Sequence, residues 1–379
     1  MPKRATGGTQ TGLGVAGIAV DFSVVPNGGA LVEGCLPDIA VDLSIVQVNF
    51  HSLTALQQSM ATVRQALGAA PAGLCIEFVV VDNESGHPTE VLADQPDVRV
   101  VANPGNPGFA AACNLGLDLA RGTWVLLLNP DTRVPEDALR TALTSAAREV
   151  PAGAAVFGCR QRSDTGALAE SSYPPETWPG PWPLLLGLPG LARIAPLRWR
   201  RSKDPASRLA RHNHTHDTAA VQGSFLLLPR LFLARLGRLD PDFFLYFEEL
   251  DWCARIGRRG HRIVHLADVE IEHTGAGGPI APERRQQYYA SELLFIRKHR
   301  GRLAALVVLL LRQFTAWTPG WLAHLAGGTL WRNADEMRVA LRGTLATRLR
   351  AAVGFGRRPH SRAMPLRTPL RHPPQPDKT

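Results

Sequence analysis

A chain of 379 residues, 45% hydrophobic and 20% charged, has room for one large α/β domain of about 260 residues with appendages at both ends. Its five cysteines (Cys35, Cys75, Cys113, Cys159 and Cys253) form no Cys-x-x-Cys pair, which excludes a disulfide framework and reads as reduced thiols of a cytosolic chain. The net charge of +9 is uneven: from Arg284 onward, 18 Lys or Arg face four Asp or Glu. No nucleic-acid module accompanies that excess, which argues against nucleic acid as the partner.

Residues 1–40 are rich in Gly and read as a flexible leader. The short apolar run Leu13 to Val20, broken by Asp21, lacks the cleavage site of a signal peptide. Gly12-Leu13-Gly14-Val15-Ala16-Gly17 matches a dinucleotide fingerprint, but no strand precedes it and no βαβ unit contains it.

The apolar run Leu43 to Val48 then ends at Asn49, and Leu53 to Leu67 has helical spacing. Ile76 to Val81 ends in Asp82-Asn83-Glu84-Ser85-Gly86, and Val98 to Val101 runs into Asn103-Pro104-Gly105-Asn106-Pro107-Gly108. A helix follows over Ala110 to Ala120, and Trp124 to Leu128 leads into Asn129-Pro130-Asp131-Thr132. Strand, helix, strand, strand, helix, strand is the pattern of a parallel sheet covered by helices. Such sheets bind ligands outside the carboxyl ends of their strands, where Asn49, Asp82, Asn83, Asn129 and Asp131 all fall. Asp131 is the first candidate ligand for Mg²⁺ or Mn²⁺, a hard oxygen that can hold the cation against a diphosphate. The glycine-rich turn with Gly108 and Phe109 opens a helix whose amides suit an anion, and Asn114 is expected to face the same site. For Asp82 an ordinary Asx turn is the plain alternative.

Residues 173–218 change character, with Pro, Trp and Arg in place of periodic apolar positions. They read as an insertion over the acceptor side of the site. Within it His212, His214 and His216 could take zinc, but their polar neighbours point to a solvated loop.

The aromatic run Phe243-Phe244-Leu245-Tyr246-Phe247 precedes Glu248-Glu249-Leu250-Asp251. Apolar surroundings raise a carboxylate's pKa and strengthen it as a base. Three acidic residues also suit the first turn of a helix running through Arg255 and Arg259. Arg255 stands at i,i+4 from Asp251, the spacing of a plain ion pair, or could neutralise a leaving group. A strand over Val269 to Ile271 brings His273 to a loop.

Leu303 to Leu311 is strongly apolar, but Arg302 and Arg312 bracket it too closely for a span of about 20 residues. Trp317, Trp321 and Trp331 follow, then a basic helical stretch from Met337 to Val353. Apolar and Trp faces beside arginines suit an interfacial helix on anionic headgroups; packing on the main domain is the rival reading. Residues 354–379 read as a disordered basic tail.

Taken together, Ser44 to Phe50, Val79 to Gly86, Asn106 to Gly116, Leu127 to Thr132, Gln222 to Phe225, Phe244 to Arg255 and Glu272 to Gly275 resemble one family. The chain is similar to family 2 inverting glycosyltransferases of the GT-A fold, close to their rhamnosyltransferase-like bacterial branch. The resemblance covers residues 43 to about 300. It implies a Rossmann-like, mostly parallel sheet flanked by helices over 41–300, to which the composition of 301–353 adds a helical extension suited to a membrane surface. It implies that Asp82 and Asn83 hold the base and ribose of a nucleotide sugar, in a site that includes Asn49, Gly108, Phe109, Asn114, Asn129, Asp131 and Gly223. It further implies that Glu249 is the catalytic base beside Glu248, with Asp251 as the second candidate, and that His273 returns to the diphosphate as a metal ligand or phosphate donor. Asn-Pro-Asp stands where many relatives have Asp-x-Asp, so one carboxylate is available for the divalent cation. The expected reaction moves rhamnose from dTDP-rhamnose to a lipid-linked or envelope glycan at the inner face of the cytoplasmic membrane. A galactofuranosyl or other hexosyl transfer from a UDP-sugar, a silent sugar-nucleotide scaffold and a nucleotidyltransferase are the alternatives.

Overall fold

The computed structural model describes residues 12–15, 18–21, 41–68, 74–86, 89–180, 204–274, 276, 280 and 284–317. The first described segments, β1 (Gly12–Val15) and β2 (Ile18–Asp21), pair as an antiparallel hairpin. Gly12 and Gly14 of the fingerprint-like run therefore lie on a hairpin strand, and Gly17 lies outside the described residues.

The domain proper begins with β3 (Leu43–Asn49) and α1 (Leu53–Gly68). Then come β4 (Ile76–Asp82), β5 (Val98–Ala102), α2 (Phe109–Leu119), β6 (Trp124–Leu128) and β7 (Thr132–Arg133). All seven residues of β3 and all five of β6 are buried, as continuous Val, Ile and Leu runs require when helices cover both faces of a parallel sheet. α1 buries Leu56, Met60, Val63 and Ala66, the spacing of one helical face. Gly116 lets α2 lie on β3: a Cβ there would stand 2.2 Å from Val46 Cγ1.

The next segments are α3 (Ala138–Glu149), β8 (Ala154–Arg162), β9 (Leu168–Ala169), β10 (Ser172–Tyr173), α4 (Pro205–Ala210), β11 (His216–Thr218) and β12 (Ala220–Val221). They continue with β13 (Phe225–Pro229), α5 (Leu233–Leu236), α6 (Glu248–Arg258), β14 (Arg262–His273), α7 (Arg285–Arg300) and α8 (Arg302–Trp317). Among the described residues ten strands form one sheet in the order β11-β14-β8-β13-β6-β3-β4-β5, with β7 on β14 and β9 on β8. β6, β3, β4 and β5 are mutually parallel, as are β8 and β14, and β13 runs antiparallel between the two blocks. The α/β class and the mostly parallel sheet are both as expected from the sequence.

This topology decides where chemistry can occur. The carboxyl ends of β3, β4, β6, β8 and β14 and the start of β13 meet along one edge. Six chain segments thus deliver their end residues to one place.

α8 packs on α7 through Ala305, Val308 and Leu309 against Leu293 and Ile296. Glu292 and Arg312 form a buried ion pair between the two helices, with the Arg312 guanidinium 4.3 Å above the Tyr289 ring. The opposite face carries Leu303 and Leu310, 75% and 53% exposed. Among the described residues no helix is long and apolar enough to cross a membrane. The expected basic helix at 337–353, the tail at 354–379 and part of the 173–218 insertion lie outside the described residues.

Candidate active site

The β3–β4 part of the edge is built from amides and one carboxylate. Asn49, fully buried, accepts from the Ser52 amide and hydroxyl and donates to Asp82 Oδ1 at 3.3 Å. Asp82 also accepts from the Ser85 amide (3.1 Å) and the Thr89 hydroxyl (3.0 Å). Its carboxylate is thereby fixed in direction while its residue stays half-buried at the strand end. The Asx-turn reading of Asp82 therefore holds.

Asn83 behaves differently from the expectation. It is buried, donates to Asn106 Oδ1 at 2.6 Å and accepts from Asn103 Nδ2 at 2.8 Å. Its amide joins a three-asparagine ladder that shapes the loop after β5, so the Asn83 side chain is tied to the wall beside Asp82.

Asn114 is corrected in the same way. Its side chain donates to the Leu239 carbonyl (2.9 Å) and accepts from the Leu239 amide (3.0 Å), pinning the stretch before the aromatic run instead of facing the edge. The helix-start amide is also taken: Phe109 N–H donates to the Phe244 carbonyl at 2.7 Å. Gly108 at φ +106° is the residue that allows this, because a Cβ there would stand 2.6 Å from Phe244 O. Gly108 and Phe109 thus join α2 to the loop of the acidic pair, and the Phe109 amide is no anion donor.

Beyond β6, the Asn129 amide donates to the Ser224 carbonyl at 3.0 Å and the Asp131 carbonyl accepts from the Thr274 amide at 3.0 Å. These bonds bring β14's end beside Asp131, and His273 Nε2 lies 3.4 Å from Asp131 Oδ1. On its other side His273 Nδ1 lies 3.2 Å from Gln161 Oε1. The Asp131 side chain is 42% exposed and that of His273 is 10% exposed, so a hard oxygen at the open edge stands beside a largely buried imidazole nitrogen. The pair fits a divalent cation: cis ligands of an octahedral ion with bonds near 2.1 Å stand about 3 Å apart. Among the described residues no three His, Cys, Asp or Glu side chains group as a metal site. Such a cation would therefore draw its remaining ligands from diphosphate oxygens and water, the usual arrangement for Mg²⁺.

The acidic pair opens α6. Tyr246 and Phe247 both lie in the left-handed region at φ 69°, a conformation that costs bulky residues about 1–3 kcal/mol each and persists only where surroundings over-determine it. Here they do. The Phe244 carbonyl is held by Phe109, the Leu245 carbonyl accepts from the Ser291 hydroxyl (2.7 Å), and Phe247 packs with Phe243 and Phe295. The strained turn points Glu248 inward and leaves Glu249 half-buried. Burial, with the adjacent Glu249 carboxylate, pushes Glu248 well above the usual carboxylate range. Burial likewise raises Glu249 to about 7, against hydrogen bonds from backbone amides that include Gly223. Each carboxyl keeps one oxygen without a protein partner. Gly223, placed by the sequence among the donor contacts, backs onto Glu249: a Cβ there would be 3.5 Å from Glu249 Cβ.

Asp251, two residues on, is fully buried and accepts from Arg255 Nε, His299 Nε2 and Lys298 Nζ at 2.8, 2.8 and 2.7 Å. Burial alone would raise its carboxyl, but the His299 and Lys298 hydrogen bonds and the Arg255 guanidinium hold it at about 2. A carboxylate so weakly basic and so enclosed is an anchor between α6 and α7, which corrects its standing as the second candidate base. Arg255 makes the i,i+4 pair that its spacing offered.

The histidine tract is also not a solvated loop throughout. His212 is buried, its Nε2 accepts from the Ser171 and Ser172 amides (2.9 and 3.1 Å), and its ring packs 4.8 Å from His265. Cys75, Cys113, Cys159 and Cys253 are free; Cys35 lies outside the described residues.

Sequence reasoning missed Gln161 as part of the edge, and it gave no individual role to Ser224, Asn103 and Asn106 within the segments it singled out. The one available signal was polar residues interrupting apolar runs, as Gln161 does after Ala154 to Cys159.

The family model described as Glycosyl transferase family 2 matches residues 44–193. A Haloferax volcanii protein named low-salt glycan biosynthesis hexosyltransferase Agl10 is 26% identical over 237 residues, covering 61% of this chain and 67% of that protein. A Mycobacterium tuberculosis N-acetylglucosaminyl-diphospho-decaprenol L-rhamnosyltransferase is 25% identical over 218 residues, covering 52% of this chain and 66% of that protein. The match thus spans about two thirds of these relatives' lengths. Among solved structures, a Pyrobaculum calidifontis mannosyltransferase in complex with GDP-Man and Mn²⁺ aligns at 17% identity with a TM-score of 0.47, over 80% of this chain and 87% of that one. The chain carries a glycosyl transferase family 2 domain.

Proposed function

We propose, for a chain that carries a family 2 glycosyltransferase domain, that it is an inverting transferase in which Glu249 is the base. The observation that carries this reading is Glu249 itself. It is the carboxyl of a half-buried residue at the strand edge, raised to about 7, with one buried oxygen that has no protein partner. Such a group is partly ionised at neutral pH and basic enough to take a proton from a hydroxyl, help worth about 10² to 10⁴ in rate. The acceptor O–H gives its proton to Glu249 while its oxygen attacks the anomeric carbon. The bond from that carbon to the diphosphate breaks on the opposite face, its electron pair leaves with the diphosphate, and the configuration inverts.

Asp82, fixed by Asn49, Ser85 and Thr89, holds the nucleoside. Asn129 lines the path between it and Asp131. Asp131 and His273 would hold a divalent cation, whose chemistry there is to neutralise charge growing on the leaving diphosphate.

The finer reading is rhamnose from dTDP-rhamnose, passed to a lipid-linked or envelope glycan. The name of the Mycobacterium tuberculosis relative supports both the sugar and the polyprenyl diphosphate acceptor. The name of the Haloferax relative favours a different hexose as the second reading. A lipid-linked acceptor places the protein at the inner face of the cytoplasmic membrane. The outward Leu303 and Leu310 of α8, ahead of a strongly basic segment, suit a peripheral hold on anionic headgroups.

Calorimetric titration with dTDP-rhamnose, UDP-galactofuranose, UDP-glucose, UDP-N-acetylglucosamine and GDP-mannose, with and without Mn²⁺, tests the donor. Saturable, Mn²⁺-dependent binding of dTDP-rhamnose alone is the expected result. Binding of a UDP-sugar in its place would move the activity to the second reading.

A further inference from the structure

Gln161 sits near the end of β8, fully buried. Its neighbours Arg160 and Arg162 pair with Glu270 of β14 at 3.1 and 2.7 Å, and strand alternation puts Gln161 on the other face. There its Oε1 meets two groups at once: the Ser224 hydroxyl at 2.9 Å and His273 Nδ1 at 3.2 Å. Its Nε2 has no partner. A buried amide with one end unsatisfied is a poor packing residue. Its carbonyl is the part that makes contacts, and those contacts lead to the candidate cation ligands.

A neutral imidazole carries one N–H, and the acceptor it meets determines which nitrogen bears it. A carbonyl oxygen at Nδ1 places the proton there and leaves Nε2 with a lone pair. That lone pair faces Asp131 Oδ1 across 3.4 Å. Two acceptors aimed at one another without a proton between them form an arrangement that a cation relieves. The same relation, ligand nitrogen towards the metal and the other nitrogen donating to a carbonyl, is how outer groups orient metal-bound histidines.

We infer that Gln161 is a positioning residue: its side-chain carbonyl, held by Ser224, fixes His273 as the Nδ1–H tautomer and turns Nε2 to Asp131 as a ligand pair for a divalent cation. This rests on the reading of Asp131 and His273 as cation ligands. Ser224 is placed for its part because its own carbonyl takes the Asn129 amide, so the β6, β8, β13 and β14 ends are registered through one residue. Sequence separation explains why the chain did not reveal it: Gln161 and His273 lie 112 positions apart.

The test uses the full chain, metal-free, with ¹⁵N-labelled histidine at mildly alkaline pH. Long-range ¹⁵N–¹H correlation, with His273→Gln to assign the ring, reads the tautomer. Electron paramagnetic resonance of free Mn²⁺ reads affinity. The inference predicts Nδ1–H for His273 in the unmodified protein. It predicts loss of that preference and about 10- to 100-fold weaker Mn²⁺ binding in Gln161→Leu, with the tautomer restored in Gln161→Glu, which keeps the acceptor. A proton on Nε2 in the unmodified protein would overturn it, with no variant required. Gln161→Leu with tautomer and Mn²⁺ affinity both unchanged would overturn it as well. Unmodified protein that binds no Mn²⁺ would instead overturn the cation-ligand reading, and the tautomer would then decide Gln161 by itself.

Discussion

Asp251 Oδ1 accepts a hydrogen bond from His299 Nε2 at 2.8 Å, joining the helix that starts with the acidic pair to the long helix α7 packed beside it. Lys298 and Arg255 complete the cage around the same carboxylate. Removing one partner from a buried ionic cluster strands the others, at a cost of about 3–5 kcal/mol. Asp251→Asn is expected to lower the unfolding free energy by that order, read as a lower denaturant midpoint at unchanged slope. Because the folded carboxyl is held at about 2, below its ordinary 3.8, its contribution is present above that ordinary value and lost as pH falls towards 2. Equilibrium denaturation across the acid range should show the variant losing less stability than the parent in that window.

Glu249 works in the opposite sense. Its raised carboxyl, at about 7 against an ordinary 4.5, retains a proton in the folded state that the unfolded chain releases. Stability from this group is therefore present below pH 4.5 and declines as pH rises towards 7. Catalysis needs the ionised form, so kcat/KM should climb through about 7 and level off above it. A rate profile flat from mildly acidic to mildly alkaline pH would remove Glu249 as the base.

Gly108 is the residue on which the junction between α2 and the loop of the acidic pair depends. A methyl group there meets Phe244 backbone at 2.6 Å, at a φ of +106°. Gly108→Ala is expected to cost roughly 1–3 kcal/mol from backbone strain alone, and the clash should also break the hydrogen bond from Phe109 to Phe244. The effect should appear in thermal unfolding and as faster amide exchange at Phe109. Gly166→Ala, at φ +78° with nothing within 4 Å, is the control for strain without a clash.

Much of the ligand edge could be read from the chain, and the reason is local. Runs such as Leu43 to Val48 and Trp124 to Leu128 are long enough to be buried strands, and each ends in an amide or carboxylate. Asn49, Asp82, Asn129 and Asp131 therefore fell into place from periodicity. What could not be read depends on partners far away in sequence. Nothing near Asn83 announces that Asn103 and Asn106 will occupy its amide, and nothing near Asn114 announces the Leu239 backbone. Asp251 looks like a second base until His299, 48 positions on, is beside it. The antiparallel β13 was equally hidden, although it is the strand that brings Gly223 to Glu249 and Ser224 to Gln161.

The outward face of α8 makes a separate prediction. Leu303→Glu with Leu310→Glu places two charges on exposed positions, where the fold is indifferent. If this face rests on lipid, co-sedimentation with phosphatidylglycerol vesicles should fall by about tenfold or more, while turnover on a water-soluble acceptor stays the same. Undiminished sedimentation would assign the lipid hold, if any, to another part of the chain.

The most direct test of the account is turnover by Glu249→Gln, measured as nucleoside diphosphate release from dTDP-rhamnose with a polyprenyl-diphosphate N-acetylglucosamine acceptor, alongside calorimetric donor affinity. The account predicts release by the unmodified protein with an inverted anomeric product. It predicts a loss of about 10² or more in the variant, with donor affinity unchanged. Undiminished release by Glu249→Gln, or pyrophosphate in place of nucleoside diphosphate, would contradict it.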